Sequence, residues 1–278
     1  MMENEKMDFS GENHLPGKPE LGDSLDWKNS ANVLCNYMKK REYLDLILKN
    51  QAIIPRYYEE PLGYLRLENI DKVCFPMTCF CDIPFSKVSS HMYYYGSYGI
   101  GLDKTAVLRK YRVQPIHYIN TDSPLADDFR QAFHISRSLR PDGEAAVLAD
   151  YLLSSLMYMK PVWGWEESAE GGMEKRVYQD ECEWRYVPSD HFPENLHLIL
   201  RQWEMTDKGK ETYTKVLYHH EECWLKFDWS DVYYIIVPDE FAARHTISTV
   251  RSLENVSNDV KDELISRIEI SSRFAKNM

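Results

Sequence analysis

The 278-residue sequence lacks any apolar stretch that approaches the roughly 18 residues needed to cross a bilayer. Residues 1–26 are polar and acidic and contain no apolar segment of the kind found in secretory signals. The six cysteines are few and lack the dense spacing of a secreted disulfide scaffold. Together these absences predict a cytoplasmic protein with reduced thiols and no membrane association.

The sequence also lacks a basic run, and its net charge is −11. Because proteins bind the nucleic-acid backbone largely by neutralising phosphates with Lys and Arg, this charge argues against a nucleic-acid partner. A protein partner with a basic face fits the charge better. Cys79 and Cys81 are separated by one residue and have no matching second pair, so a zinc site is not predicted.

The first 26 residues combine several Gly and Pro residues with charged residues and have few apolar side chains. Such a segment buries too little apolar surface to offset its ordering entropy. We therefore predict a flexible acidic N-terminal arm at residues 1–26, followed by a single domain at residues 27–278. The chain has 44% hydrophobic residues, which is enough to form a core of that size.

Apolar periodicity and capping residues predict a mixture of strands and helices without regular alternation. The predicted strands cover residues 33–37, 73–83, 98–102, 116–119, 183–187, 196–199 and 232–237. The predicted helices cover residues 42–48, 85–94, 104–111, 123–160 and 256–268, and residues 161–175 are predicted to be a loop. This pattern indicates an α+β fold, a single domain with a mixed or antiparallel central sheet flanked by helices.

Residues 75–102 read FPMTCFCDIPFSKVSSHMYYYGSYGIGL. This block closely resembles the core signature of the AbiGi abortive phage-infection family, and the similarity extends over about residues 33–240. The family is described as one half of a two-gene system that aborts infection, often as the antitoxin-like half. The resemblance implies a component of a bacterial antiphage defence, with a toxin, second component or phage protein as its partner.

The layout of a first strand, a helix, an apolar strand and a late Glu-Trp-Arg is also similar to the plan of ADP-ribosyltransferases. In that plan a first-strand polar residue holds the ribose of NAD, an aromatic ring stacks on nicotinamide, and a glutamate stabilises the positively charged sugar. The resemblance assigns catalysis to Glu183 and cofactor binding to Asn36, Tyr37, Arg56, Phe80, Ser86, Tyr98 and Arg185.

The first strand departs from this plan, because relatives commonly have His-aromatic-Thr where this chain has Asn36-Tyr37-Met38. Two hypotheses therefore stay open. One is an ADP-ribosyltransferase-like nucleotide pocket, either active or degenerate; the other is a non-enzymatic antitoxin or sensor that binds a toxin or phage protein. The first predicts that Asn36, Phe80, Tyr98 and Glu183 converge on one open cleft. The second predicts that Glu183 is held by Arg185 or Arg56 and that no cavity is present.

Overall fold

The structure is a computed structural model that describes residues 25, 27, 28, 30–139, 142–167 and 171–274. Except for Leu25, the predicted N-terminal arm lies outside the described residues. The strands are β1 (Val33–Met38), β2 (Ala52–Ile53), β3 (Arg56–Pro61), β4 (Lys72–Cys81), β5 (Tyr98–Asp103), β6 (Gln114–Pro115), β7 (His117–Ile119), β8 (Met159–Pro161), β9 (Trp163–Glu167), β10 (Met173–Val177), β11 (Glu183–Tyr186), β12 (Leu225–Lys226), β13 (Val232–Val237) and β14 (Ile268–Ile270). The helices are α1 (Arg41–Asn50), α2 (Ser89–Tyr95), α3 (Lys104–Lys110), α4 (Pro124–Ser138), α5 (Gly143–Met157), α6 (Asp207–Leu217), α7 (Glu240–Arg251), α8 (Asn258–Ser266) and α9 (Ser271–Phe274).

The central sheet runs in the order β14-β13-β5-β1-β4-β11-β6, and β3 is the eighth strand, paired to the first part of β4. Its neighbours are antiparallel except for the parallel pair of β13 and β14, so the predicted mixed sheet is confirmed. Three two-stranded sheets accompany it, formed by β9 with β10, β2 with β12, and β7 with β8.

Strand β4 is the centre of the core, and nearly all of its ten residues are buried because helices cover both faces of the sheet. On one face, Leu34 and Ile100 pack in a cluster with residues of α1, α3, α7 and α8. Elsewhere along the sheet, Phe75 and Met77 pack against α4 and α5. Because both clusters pack on the same central sheet, the chain is a single α+β domain, as predicted.

Two local signals in the sequence produce the turns around β5. The carboxylate of Asp103 accepts a hydrogen bond from the Ala106 amide at 2.8 Å and so caps α3, as expected for an Asp at a helix start. Gly96 ends α2 with a φ of 105°, and a Cβ there would lie 2.3 Å from the carbonyl oxygen of Met38. Only glycine fits this position, because L side chains rarely adopt that conformation.

Several sequence predictions are wrong. Residues 161–175 are not a loop but carry β9 and the start of β10, a hairpin whose turn includes Gly171 and Gly172 at positive φ. The predicted helix at 123–160 is two helices followed by β8, and the sequence Pro141-Asp142-Gly143, where the second helix begins, is a strong break signal. Residues 196–199 form no strand, and α6 and α7 were not predicted. None of the described helices combines the length and apolar character that a membrane span requires.

Candidate functional site

A cavity of about 1030 Å³ lies at the centre of the fold, between β1 and β4. The ladder between these strands has one paired position, Cys35 opposite Cys81. Beyond it, the side-chain amide of Asn36 donates a hydrogen bond to the Cys79 carbonyl at 2.8 Å, and the two strands border the cavity. Residues of α1, α2, β3 and the β9–β10 hairpin complete its wall.

The cavity brings together five of the eight residues that the sequence singled out, namely Asn36, Tyr37, Arg56, Phe80 and Glu183. The other three do not lie on its wall. Ser86 sits in a short turn before α2, Tyr98 begins β5, and Arg185 is fully buried behind Glu183.

The register of β11 on β4 separates two of the predicted residues. Trp184 lies opposite Phe80, and Glu183 lies opposite Cys81. Because neighbouring residues of a strand point to opposite faces of a sheet, Phe80 and Glu183 face opposite sides. Of the four residues predicted to converge on one open cleft, Asn36, Phe80 and Glu183 line the cavity, and Tyr98 does not.

Both carboxylate oxygens of Glu183 are held by cations. Arg185 Nε lies 2.6 Å from Oε1, and Lys160 Nζ lies 3.2 Å from Oε2. The backbone N–H of Glu183 donates to the Tyr118 hydroxyl at 2.7 Å. Burial alone would raise the pKa of Glu183, but the charges of Arg185 and Lys160 hold that pKa well below its usual range. Glu183 is thus a fixed, ionised carboxylate.

This pair belongs to a larger buried network. Arg185 also binds Glu60 at 3.1 Å and donates to the Met157 carbonyl at 2.9 Å. Lys160 also binds Glu181, at 2.9 Å. Each of these charged groups is paired with an opposite charge, which is what makes their burial tolerable.

The second carboxylate oxygen of Glu181 continues the network into the hairpin. Arg176 in β10 lies 2.7 Å from Glu181 and 2.5 Å from Glu166. Its guanidinium sits 4.0 Å from the ring centroid of Tyr94 in α2, a cation–π geometry. Sequence reasoning missed Lys160 and Arg176, because the first was assigned to a helix and the second follows a segment read as a loop.

Three other titratable groups on the wall, His91, Cys35 and Cys79, are not poised for acid–base or nucleophilic chemistry. Burial, with Arg176 nearby, lowers the pKa of His91 to about 4, so its imidazole is neutral at pH 7. Burial raises the pKa of Cys35 to about 12, and it raises that of Cys79 as well. These thiols are therefore protonated near neutral pH. Among the described residues, no group of three or more His, Cys, Asp or Glu side chains is arranged to hold a metal ion.

Comparisons with known proteins agree on one family. Residues 51–238 match the family described as abortive phage resistance protein AbiGi, antitoxin. A protein of Lactococcus lactis subsp. cremoris named "Abortive phage resistance protein AbiGi" is 30% identical over 238 residues, which cover 78% of this chain and 96% of that protein. No solved structure matches the chain.

Proposed function

The chain belongs to the AbiGi abortive phage resistance family, and from this premise we propose that it is a cytoplasmic antitoxin that restrains a toxin by binding it. The family description supplies the word antitoxin, and an antitoxin implies a toxin as its partner. The net charge of −11 suits a partner surface rich in Lys and Arg.

The observation that carries the binding role is the state of Glu183, the one carboxylate assigned to catalysis. Its two oxygens are occupied by Arg185 and Lys160, and only 7% of the residue is exposed. A carboxylate that stabilises a positively charged sugar must offer an oxygen to the substrate. Here that oxygen would first have to leave a buried cation, which is costly.

Exposed apolar side chains on α5 offer a surface for such a partner. Val147 and Tyr151 lie one helical turn apart and are 70% and 67% exposed. Asp150, beside them on the same helix, is also exposed. Tyr is enriched at the energetically important positions of protein interfaces, and an acidic neighbour favours a basic partner.

The test is co-expression of this chain with the product of the neighbouring gene as the candidate toxin, scored by growth and by co-purification. If the role is binding, Glu183→Gln restrains the toxin as well as the natural chain does, provided that the two fold equally by circular dichroism. Asp259→Asn on the exposed side of α8 is the matched control for loss of one negative charge. Loss of restraint in Glu183→Gln alone, with folding intact, would contradict a purely binding role.

A second candidate, an ADP-ribosyltransferase-like pocket for NAD, is favoured by the cavity itself. The antitoxin or sensor hypothesis predicted that no cavity is present, yet a cavity of about 1030 Å³ has five of the predicted site residues on its wall. A ligand that binds the folded chain raises its melting temperature by mass action. Two results together would establish this activity. NAD raises the melting temperature of the chain, and radioactive label passes from NAD to a protein with the natural chain but not with Glu183→Gln.

A further inference from the structure

The charges around the cavity are unevenly paired. Five carboxylates line its wall, and each forms an ion pair with a Lys or Arg; they are Glu59, Glu60, Glu166, Glu181 and Glu183. The wall therefore has no unpaired negative charge among the described residues.

Three other cations on the wall have no such partners. Lys39, Lys40 and Arg56 line the cavity, and within the part of the chain that the structure describes none of them forms an ion pair with a carboxylate. Arg56 instead sits 4.7 Å from the ring centroid of Tyr43, and the Lys40 ammonium lies 6.0 Å from the same centroid. Two cations without an ion-pair partner, Arg56 and Lys40, thus meet at one ring, in a chain that is strongly acidic overall.

Two further polar features border the cavity. Helix α1 begins at Arg41, directly after Lys40, and no side chain caps its first amides, so the positive end of the helix dipole lies beside Lys40. Thr78 in β4 also lines the cavity. Only 4% of the residue is exposed, and nothing among the described residues hydrogen-bonds its hydroxyl. A buried hydroxyl without a partner is costly unless a ligand or water satisfies it.

We infer that the part of the cavity beside Tyr43 binds the phosphate group of a free nucleotide. Lys39, Lys40, Arg56 and the start of α1 would hold the phosphate oxygens, since forked guanidinium groups and helix N-termini are both good phosphate ligands. Tyr58 and Tyr218 also line the cavity and offer ring faces for a base.

The cavity's size and the chain's charge distinguish a small nucleotide from a nucleic-acid strand. The volume of about 1030 Å³ is at the upper end of small-ligand pockets and can enclose a whole nucleotide. The net charge of −11 opposes a long polyanion, whose many phosphates would extend past the three cations. The inference deepens the second candidate above, but it requires only binding and no turnover.

Binding is measured by isothermal titration of the full chain with ADP, and with inorganic phosphate and adenosine as the separate halves. We expect ADP to bind more tightly than either phosphate or adenosine alone. The affinity for ADP should fall as the NaCl concentration rises, because the contact is ionic. Arg56→Gln, and the double substitution Lys39→Gln with Lys40→Gln, each weaken ADP binding by about tenfold or more. Lys49→Gln, a matched loss of one charge at the exposed far end of α1, leaves it unchanged.

Thr78→Val supplies a test that removes no charge, and it lowers ADP affinity by several-fold if the hydroxyl contacts the ligand. Failure of the natural chain to bind ADP overturns the inference, as does equal binding by Arg56→Gln and Lys49→Gln. The toxin-restraint assay separates this failure from failure of the antitoxin role. If the chain restrains the toxin but does not bind ADP, only the proposed nucleotide site is refuted. If the chain binds ADP but does not restrain the toxin, only the proposed antitoxin role is refuted.

Discussion

Removing the arginine behind Glu183 is the sharpest test of the buried charge network. Arg185 is fully buried and makes three polar contacts, to Glu183 at 2.6 Å, to Glu60 at 3.1 Å and to the Met157 carbonyl at 2.9 Å. Arg185→Met preserves most of the side-chain volume but leaves the buried carboxylate of Glu183 and the partly buried one of Glu60 with only Lys160 nearby.

Breaking a buried ion pair from one side costs about 3–5 kcal/mol, because the remaining charge is left uncompensated. For a domain of this size, each kcal/mol lowers the melting temperature by roughly 2 °C. We therefore expect Arg185→Met to melt about 6–10 °C below the natural chain. The double variant Arg185→Met with Glu183→Gln also removes one of the unpaired negative charges, and it should recover part of the lost stability.

Urea unfolding at pH 7 of the natural chain, the two single variants and the double variant completes the cycle. Arg244→Met, on the exposed face of α7, controls for loss of a positive charge and should change the free energy of unfolding by less than about 0.5 kcal/mol. If Arg185→Met costs no more than this control, or if the double variant shows no coupling, the network does not stabilise the fold and the argument for a fixed Glu183 fails.

Three further predictions follow from the structure. The pKa of Glu183 is lower in the folded chain than its ordinary 4.5, so its contribution to stability is present above pH 4.5 and is lost as the pH falls through the folded value. In urea unfolding, the midpoint of Glu183→Gln should therefore fall less with acid than the midpoint of the natural chain. The pKa of His91 falls from 6.5 to about 4 on folding, so as the pH is lowered the unfolded chain binds a proton first and the stability of the fold declines from pH 6.5 toward 4. His91→Gln should remove this decline. If the pH profile of stability is the same in His91→Gln, the lowered pKa of His91 is refuted. Gly96→Ala forces a Cβ to within 2.3 Å of a backbone oxygen at positive φ and lowers the free energy of unfolding by about 1–3 kcal/mol in chemical denaturation, whereas Gly63→Ala, with open space around it, is nearly neutral.

The strands that the sequence predicted best are those whose signal is local. The run at 232–237 is apolar and β-branched and forms β13, and the block at 98–102 forms β5 with Asp103 as the cap of the next helix. The hairpin at β9 and β10 was missed because its Trp, Glu and Gly residues carry no clear alternation, and its two strands are stabilised mainly by each other. Helix α7 was missed although Asp239 caps it, because the apolar strand before it dominated the reading of that segment.

The candidate site shows the same division between local and distant information. The Glu-Trp-Arg motif identified Glu183 and Arg185, whose alternate positions on one strand place both side chains on the same face. Lys160 comes from β8 and Glu60 from β3, and no local pattern connects either residue to that motif. Long-range packing brings them together, and a single sequence does not reveal which distant charges will meet.

Among the residues that the structure describes, the β9–β10 hairpin pairs with no strand of the central sheet, although Trp165 and Arg176 help to line the cavity. Insertions or substitutions in this hairpin can therefore reshape the cavity rim without breaking a ladder hydrogen bond of the core. Homologues that differ mainly in this hairpin would share one scaffold and still select different ligands. Exchanging the hairpin between such homologues is a direct way to transfer specificity while the rest of the fold stays constant.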